Sequence, residues 1–225
     1  MARYFLIVFI LLLPGAVAAQ NGSLFVSKGG AGVLVRASTG SLFQNASVHG
    51  FLTPLPEDGP ASSTLPPSVS GLLDLIALAE AGPAGYNAVQ HGARVRPAQA
   101  PTQMSLGEIF DWITATPGQP HAIGRYQFIP ATLRRLVGIK GYGPQTRFSA
   151  DVQDQLALIL LQEAGLEAFQ ANTLPRRAFM KNLARIWAGL PLPSGRSYYA
   201  GYAGNKATMS FARFEAGVRE IFVSG

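Results

Sequence analysis

Near residue 68 the chain changes character, and that change limits the fold more than any other feature of the sequence. From Gln20 to Val69, Gly, Ser and Pro are frequent, charges are few, and apolar residues do not recur at three- and four-residue spacing. The block 53–68 holds five prolines and has the make-up of a linker. Beyond it, apolar stretches of helical period alternate with Gly and Pro stops for about 155 residues, enough for one hydrophobic core. Leu72, Leu73, Leu75 and Ile76 predict a helix from a Ser70 cap to Ala81, stopped by Gly82 and Pro83. A short helix follows over 106–113, and Pro130 suits the first position of another ending near Gly138. Ser149 caps the strongest one, 150–164, with Asp151 and Asp154 near its positive end. Pro175 opens a segment reaching Ala188. Phe211, Phe214, Val218 and Phe222 share one face of a last helix over about 207–222. Gly-rich irregular stretches on either side of the second helix leave room for a small β-hairpin. The expected class is α+β, mainly α: a helical domain over 68–225 behind a poorly structured arm over 20–67.

The first nineteen residues read as a leader. Arg3 supplies a basic start, residues 5–13 are uninterruptedly apolar, and Ala16-Val17-Ala18 provides the small residues of a cleavage site. Nine apolar residues rise only about 14 Å as a helix, against about 30 Å for a bilayer core. A cleaved export signal therefore fits better than a membrane anchor, and no later stretch is long and apolar enough to span a bilayer. The expected location is outside the cytoplasm, periplasmic or extracellular. Within the arm, Gly22-Ser23-Leu24-Phe25 recurs as Gly40-Ser41-Leu42-Phe43. Two copies are too few for a stacked repeat architecture, so they read as a docking hairpin or as coincidence.

With no cysteine in the chain, disulfides and thiolate nucleophiles are excluded. Without the leader, 17 basic residues face 12 acidic ones, a net of +5 that favours anionic partners such as nucleic acid, lipid headgroups or cell-wall polymers. His49, His91 and His121 lack metal-ligand spacing, so no metal or other cofactor is expected. Neither a phosphate loop nor a Gly-x-Ser-x-Gly elbow is present. Carboxylates remain, and the helical region has ten. Most read as helix-end or solvated charges.

Glu80 differs. It follows Leu73 and Ile76 at i+7 and i+4, on their apolar face. It also falls in the last turn of its helix, where the dipole disfavours negative charge. Both effects raise a carboxyl pKa, as a general acid at neutral pH requires. A surface carboxylate on a frayed helix end has the same periodicity, and spacing alone leaves both readings open.

Four local blocks surround this residue in order: Ala79-Glu80-Ala81-Gly82, Gly85-Tyr86-Asn87-Ala88, Ala122-Ile123-Gly124-Arg125-Tyr126-Gln127-Phe128, and Ile186-Trp187-Ala188-Gly189-Leu190-Pro191. Together they resemble the lambda-phage lysozyme group of muramidases, relatives of goose-type lysozymes and lytic transglycosylases. The likeness covers about residues 70–220. Ala79 departs from it, standing where the phage enzyme has Ser. The resemblance implies a lysozyme-like fold with a cleft for strands of N-acetylmuramic acid and N-acetylglucosamine. It implies Glu80 as the single catalytic carboxyl, with a 1,6-anhydromuramic end as the usual product. It further implies that Tyr86, Asn87, Arg125, Tyr126 and Gln127 line the cleft.

Several of these side chains also have an ordinary role. Tyr126 and Gln127 can pack the turn before Pro130, and Arg125 can be a structural ion-pair partner rather than a ligand for the lactyl carboxylate or a peptide stem. Trp187, placed with Leu183 on an apolar helix face, reads as core. Three rival functions share the sequence. A true hydrolase would use Glu108 or Asp111 as a second carboxylate. A non-catalytic wall-binding module would leave Glu80 without purpose. A nucleic-acid binder would rest on Arg134, Arg135, Arg176, Arg177 and Lys181, yet these sit on helices with ordinary amphipathic patterns.

Overall fold

The structure, a computed structural model, describes residues 65–202 and 204–223. The leader, the paired tetrapeptides and the arm to residue 64 lie outside the described residues. The described part is mainly α. Its helices are α1 (Pro67–Glu80), α2 (Leu106–Ala115), α3 (Pro130–Lys140), α4 (Ala150–Glu163), α5 (Leu166–Gln170), α6 (Arg176–Ile186) and α7 (Phe211–Val223). Short 3-10 segments span Gly82–Asn87 and Pro101–Gln103.

Local chemistry sets most of these boundaries. α1 starts three residues before the expected Ser70 cap, because Pro67 occupies the first helical position, where its fixed φ and missing N–H cost nothing. The Pro66 carbonyl accepts from the amides of Val69 and Ser70 at 2.9 and 3.0 Å. Ser105 and Glu108 close a reciprocal capping box on α2. α3 runs on to Lys140 and stops at Gly141, whose φ of 66° ends the helix in the left-handed conformation. Ser149 caps α4 as expected, its side chain accepting from the Val152 amide. α5 was not anticipated: Gly165, at φ 95°, starts it without any capping side chain. α6 ends at Ile186 rather than Ala188, and Trp187 turns to extended φ/ψ of −112° and 114°.

The helices bury one continuous core. Leu72, Leu73 and Ile76 of α1 share it with Leu156, Leu160 and Leu161 of α4, Phe179 and Leu183 of α6, and Phe214 and Val218 of α7. Trp187, although off the helix, is buried with them. Phe169 stacks on Phe179 with ring centroids 4.5 Å apart, and Phe222 meets Phe169 edge-on at 4.9 Å. α1 and α7 pack closely because a Cβ on Gly217 would lie 2.9 Å from a Leu75 methyl.

Of the expected β-hairpin, the described residues retain isolated antiparallel bridges: Val89 with Ile123, Ile123 with Phe128, Ser105 with Arg147, and Pro191 with Ser197. No strand forms among them. Nor is any helix among the described residues long and apolar enough to cross a membrane.

Candidate active site around Glu80

Glu80 is the last residue of α1, one turn beyond the buried Ile76. The residue keeps some solvent contact, while its carboxyl group is enclosed by protein atoms. Burial pushes its pKa up to about 7, against the pull of the Gly189 amide, which donates to Oε1 at 2.7 Å. No ion pair reaches it among the described residues. A carboxyl of this acidity is protonated in about half the molecules at pH 7, so it can give and retake a proton near neutrality.

The end of α6 delivers Gly189 to this position. Trp187 leaves the helix, its amide still donating to Leu183 O at 2.9 Å, and Leu190 turns back onto Trp187 O at 3.2 Å. Both side chains are buried and fix the turn. Only glycine fits at 189: a Cβ there would lie 2.5 Å from the Ala79 carbonyl oxygen and 2.9 Å from Glu80 Oε1. Thr208 closes the site from the other side. Its amide donates to Gly189 O at 2.9 Å, and its hydroxyl donates to Ala79 O at 2.7 Å.

A second cluster forms around the turn 124–127. Ile123 and Phe128 exchange backbone hydrogen bonds of 3.1 and 2.9 Å, with Gly124 at φ 80° and Gln127 at φ 46° inside the turn. Fully buried Gln153 of α4 organises it. Its Oε1 accepts from the Arg125 amide at 2.8 Å, while its Nε2 donates to Tyr86 O and Phe148 O, each at 3.1 Å. The Arg125 guanidinium pairs with Asp74, donates to the Tyr86 hydroxyl at 2.7 Å, and lies 4.7 Å from the Tyr86 ring centre. Tyr86 and Tyr126 both donate to Asp154, at 2.9 and 2.5 Å. Burial raises the Asp154 pKa, with the Tyr126 and Tyr86 hydroxyls and Arg125 opposing it. The Tyr126 phenol is pushed well above its ordinary value, first by burial and then by Asp154, so it stays a donor.

Tyr86, Arg125 and Tyr126, expected on the cleft wall, are thus joined in one network with Asp74 and Asp154. Tyr126 is only 1 % exposed, its ring edge-on to Phe128. Of the two roles the sequence left open for Tyr126, this burial matches packing of the turn, with the hydroxyl held by Asp154. Asn87 is exposed, and its Oδ1 accepts from the amide and hydroxyl of Thr102 at 3.0 and 2.8 Å, fastening the two 3-10 segments together. Gln127 donates from Nε2 to Gly124 O at 3.0 Å, bracing its own turn. No hydrogen bond links Glu80 with this network among the described residues.

The rival carboxylates lie elsewhere. Glu108 and Asp111 border a surface depression of about 560 Å³ with Gln145 and Arg147. Glu108 accepts from the Ser105 amide at 2.7 Å, and that bond holds its pKa below the usual range. Among the basic residues weighed as a nucleic-acid patch, Arg135 pairs with Glu163, Arg177 with Glu215, and Arg134 lies over the Phe110 ring. Among the described residues, no group of three or more His, Asp or Glu is arranged to hold a metal ion.

Sequence reasoning missed Thr208 and Gln153, gave Asp154 only as a charge near a helix N-terminus, and named Gly189 only within the Ile186–Pro191 block. One signal was present for Gln153. It shares the i, i+3, i+4, i+7 stripe of Leu156, Ala157 and Leu160, and a polar residue on that stripe must find buried partners.

Fold and site together define a mainly α domain built around one enclosed carboxyl of near-neutral pKa. Comparison with family models, curated proteins and solved structures returns no match to this chain.

Proposed function

We propose that the chain is an exported peptidoglycan-cleaving enzyme, a lytic transglycosylase, with Glu80 as its proton shuttle. The observation that carries this reading is the contact between Glu80 and Gly189. It joins two blocks on which the resemblance to lambda-phage lysozyme rests, and its acceptor is a carboxyl raised to about 7. On this reading the domain is lysozyme-like, and the bridged turn 123–128 stands for its small β-hairpin region. The glycan strand is the partner, and the leader directs the chain to the periplasm or the exterior.

The chemistry follows from one carboxyl. Protonated Glu80 donates to the oxygen of the β-1,4 bond between N-acetylmuramic acid and N-acetylglucosamine as the bond from that oxygen to the muramic anomeric carbon breaks. The substrate's own acetamido oxygen stabilises the positive anomeric centre. Glu80, now ionised, takes the proton of the muramic C6 hydroxyl, and that oxygen closes onto the anomeric carbon. The product is a 1,6-anhydromuramic end, no water is consumed, and Glu80 regains its proton. Engagement of Glu108 in a helix cap supports this over a two-carboxylate hydrolase.

Mass analysis of muropeptides released from purified sacculi tests the proposal. Anhydro ends, lighter by one water than reducing ends, are the expected product. Reducing ends would make the enzyme a hydrolase, and intact sacculi would remove the enzymatic reading altogether. N-terminal sequencing of protein from the native host should begin near Ala19 or Gln20; an intact Met1 overturns the export reading.

A further inference from the structure

Eighteen residues separate Gly189 from Thr208, and the chain returns from that excursion to the point where it left. The return is fastened by one side chain. The Thr208 hydroxyl donates to Ala79 O at 2.7 Å and also lies 3.3 Å from Gly189 O, while the Thr208 amide donates to Gly189 O at 2.9 Å. Ala79 O belongs to the last turn of α1, where helix carbonyls have no partner within the helix. Thr208 satisfies it and, in doing so, binds the residue before Glu80 to the residue that donates to Glu80.

We propose that Thr208 is the positioning residue of this site: by clamping Ala79 to Gly189 it aims the Gly189 N–H at Oε1 of Glu80 and leaves Oε2 for proton exchange. The space is suited to such a clamp. With a Cβ at 189 excluded by Ala79 O and Oε1, the Gly189 backbone lies against the carboxyl, and a small rotation of it lengthens the bond. The same geometry gives the clamp a sign. An amide donating to a carboxylate favours the ionised form, and burial opposes it; among the described residues no charged side chain adds to either. Loosening the clamp therefore removes the pull towards ionisation and leaves the push of burial.

The catalytic meaning of this inference rests on the proposed role of Glu80; the clamp itself does not. The test therefore begins with a measurement that needs no substrate. The Glu80 carboxyl is titrated by carbon-13 NMR in the wild-type chain and in Thr208→Val, Thr208→Ala and Thr208→Ser. In the Val and Ala variants the Glu80 midpoint should rise by about one pH unit, the scale of one hydrogen bond to a charged group. Thr208→Ser, which keeps the donor, should titrate like wild type. On sacculi, the Val and Ala variants should show a kcat at least threefold lower and an alkaline limb moved upward, with Ser restoring both. If Val fails to fold, Ala carries the measurement. An unchanged or lowered Glu80 midpoint in a folded variant lacking the hydroxyl overturns the clamp, as does a Ser variant displaced as far as Val. A shifted midpoint in a chain that leaves sacculi intact would keep the clamp and reject the enzymatic reading.

Discussion

Glu80 carries opposite consequences for activity and stability. Its ordinary pKa of 4.5 becomes about 7 on folding. Between those values the folded chain holds a proton that the unfolded chain has released, so stability falls as pH rises from about 4.5 to about 7 and stays low above. Glu80→Gln removes this dependence. In urea titrations at pH 5 and pH 8, the variant should lose less stability between the two and exceed wild type at pH 8. On the proposed function, the same substitution leaves no proton to donate and should lower turnover on sacculi by about 10²–10⁴-fold. A variant that is both less active and more stable at pH 8 is the expected signature of a buried acid. Part of this was legible beforehand, because spacing from Leu73 and Ile76 placed Glu80 on the apolar face of α1. The amide that holds it was not, since nothing in local spacing says where a chain returns after a hundred residues.

Among the elements, α4 does more than its sequence announced. Ser149 and the Leu156–Leu160 stripe made its existence plain. Asp154 read as a charge favouring the helix N-terminus, whereas it receives both tyrosine hydroxyls of the neighbouring cluster. Gln153 is the stronger test. Its amide satisfies the Arg125 N–H and two carbonyls from different segments. Gln153→Leu keeps the volume and strands all three, so by chemical denaturation the protein should lose at least the cost of one stranded group, about 1–3 kcal/mol. Opening of the 124–127 turn should show as faster exchange of the Arg125 amide. Helix boundaries were legible where a local residue such as Ser149 decides them, although α3 runs past the expected Gly138 to Lys140. They were misplaced where packing decides, as at Trp187, which leaves α6 to fill the core.

At the scale of the molecule, the helical pattern was read from about residue 68 with a cap at Ser70, whereas α1 begins at Pro67. Pro66 and Pro67 belong to the helix start rather than to the linker, and Leu65 packs against the core. A chain truncated to begin at Leu65 should therefore unfold cooperatively and, on the proposed function, digest sacculi. One beginning at Ser68 lacks the Pro66 carbonyl and Leu65 and should be less stable by about 1 kcal/mol, the scale of a lost helix cap. Thermal unfolding of the two truncations side by side distinguishes them.

The bond between Glu80 and Gly189 spans 109 positions of the chain. During synthesis residue 80 leaves the ribosome long before residue 189 exists, and closing so wide a loop is slow. Throughout that interval its carboxyl is solvated and titrates near 4.5, ionised at neutral pH with no proton to offer. It comes to hold a proton near neutral pH only once the fold buries it. The titration of a single side chain thus reports whether the domain is finished.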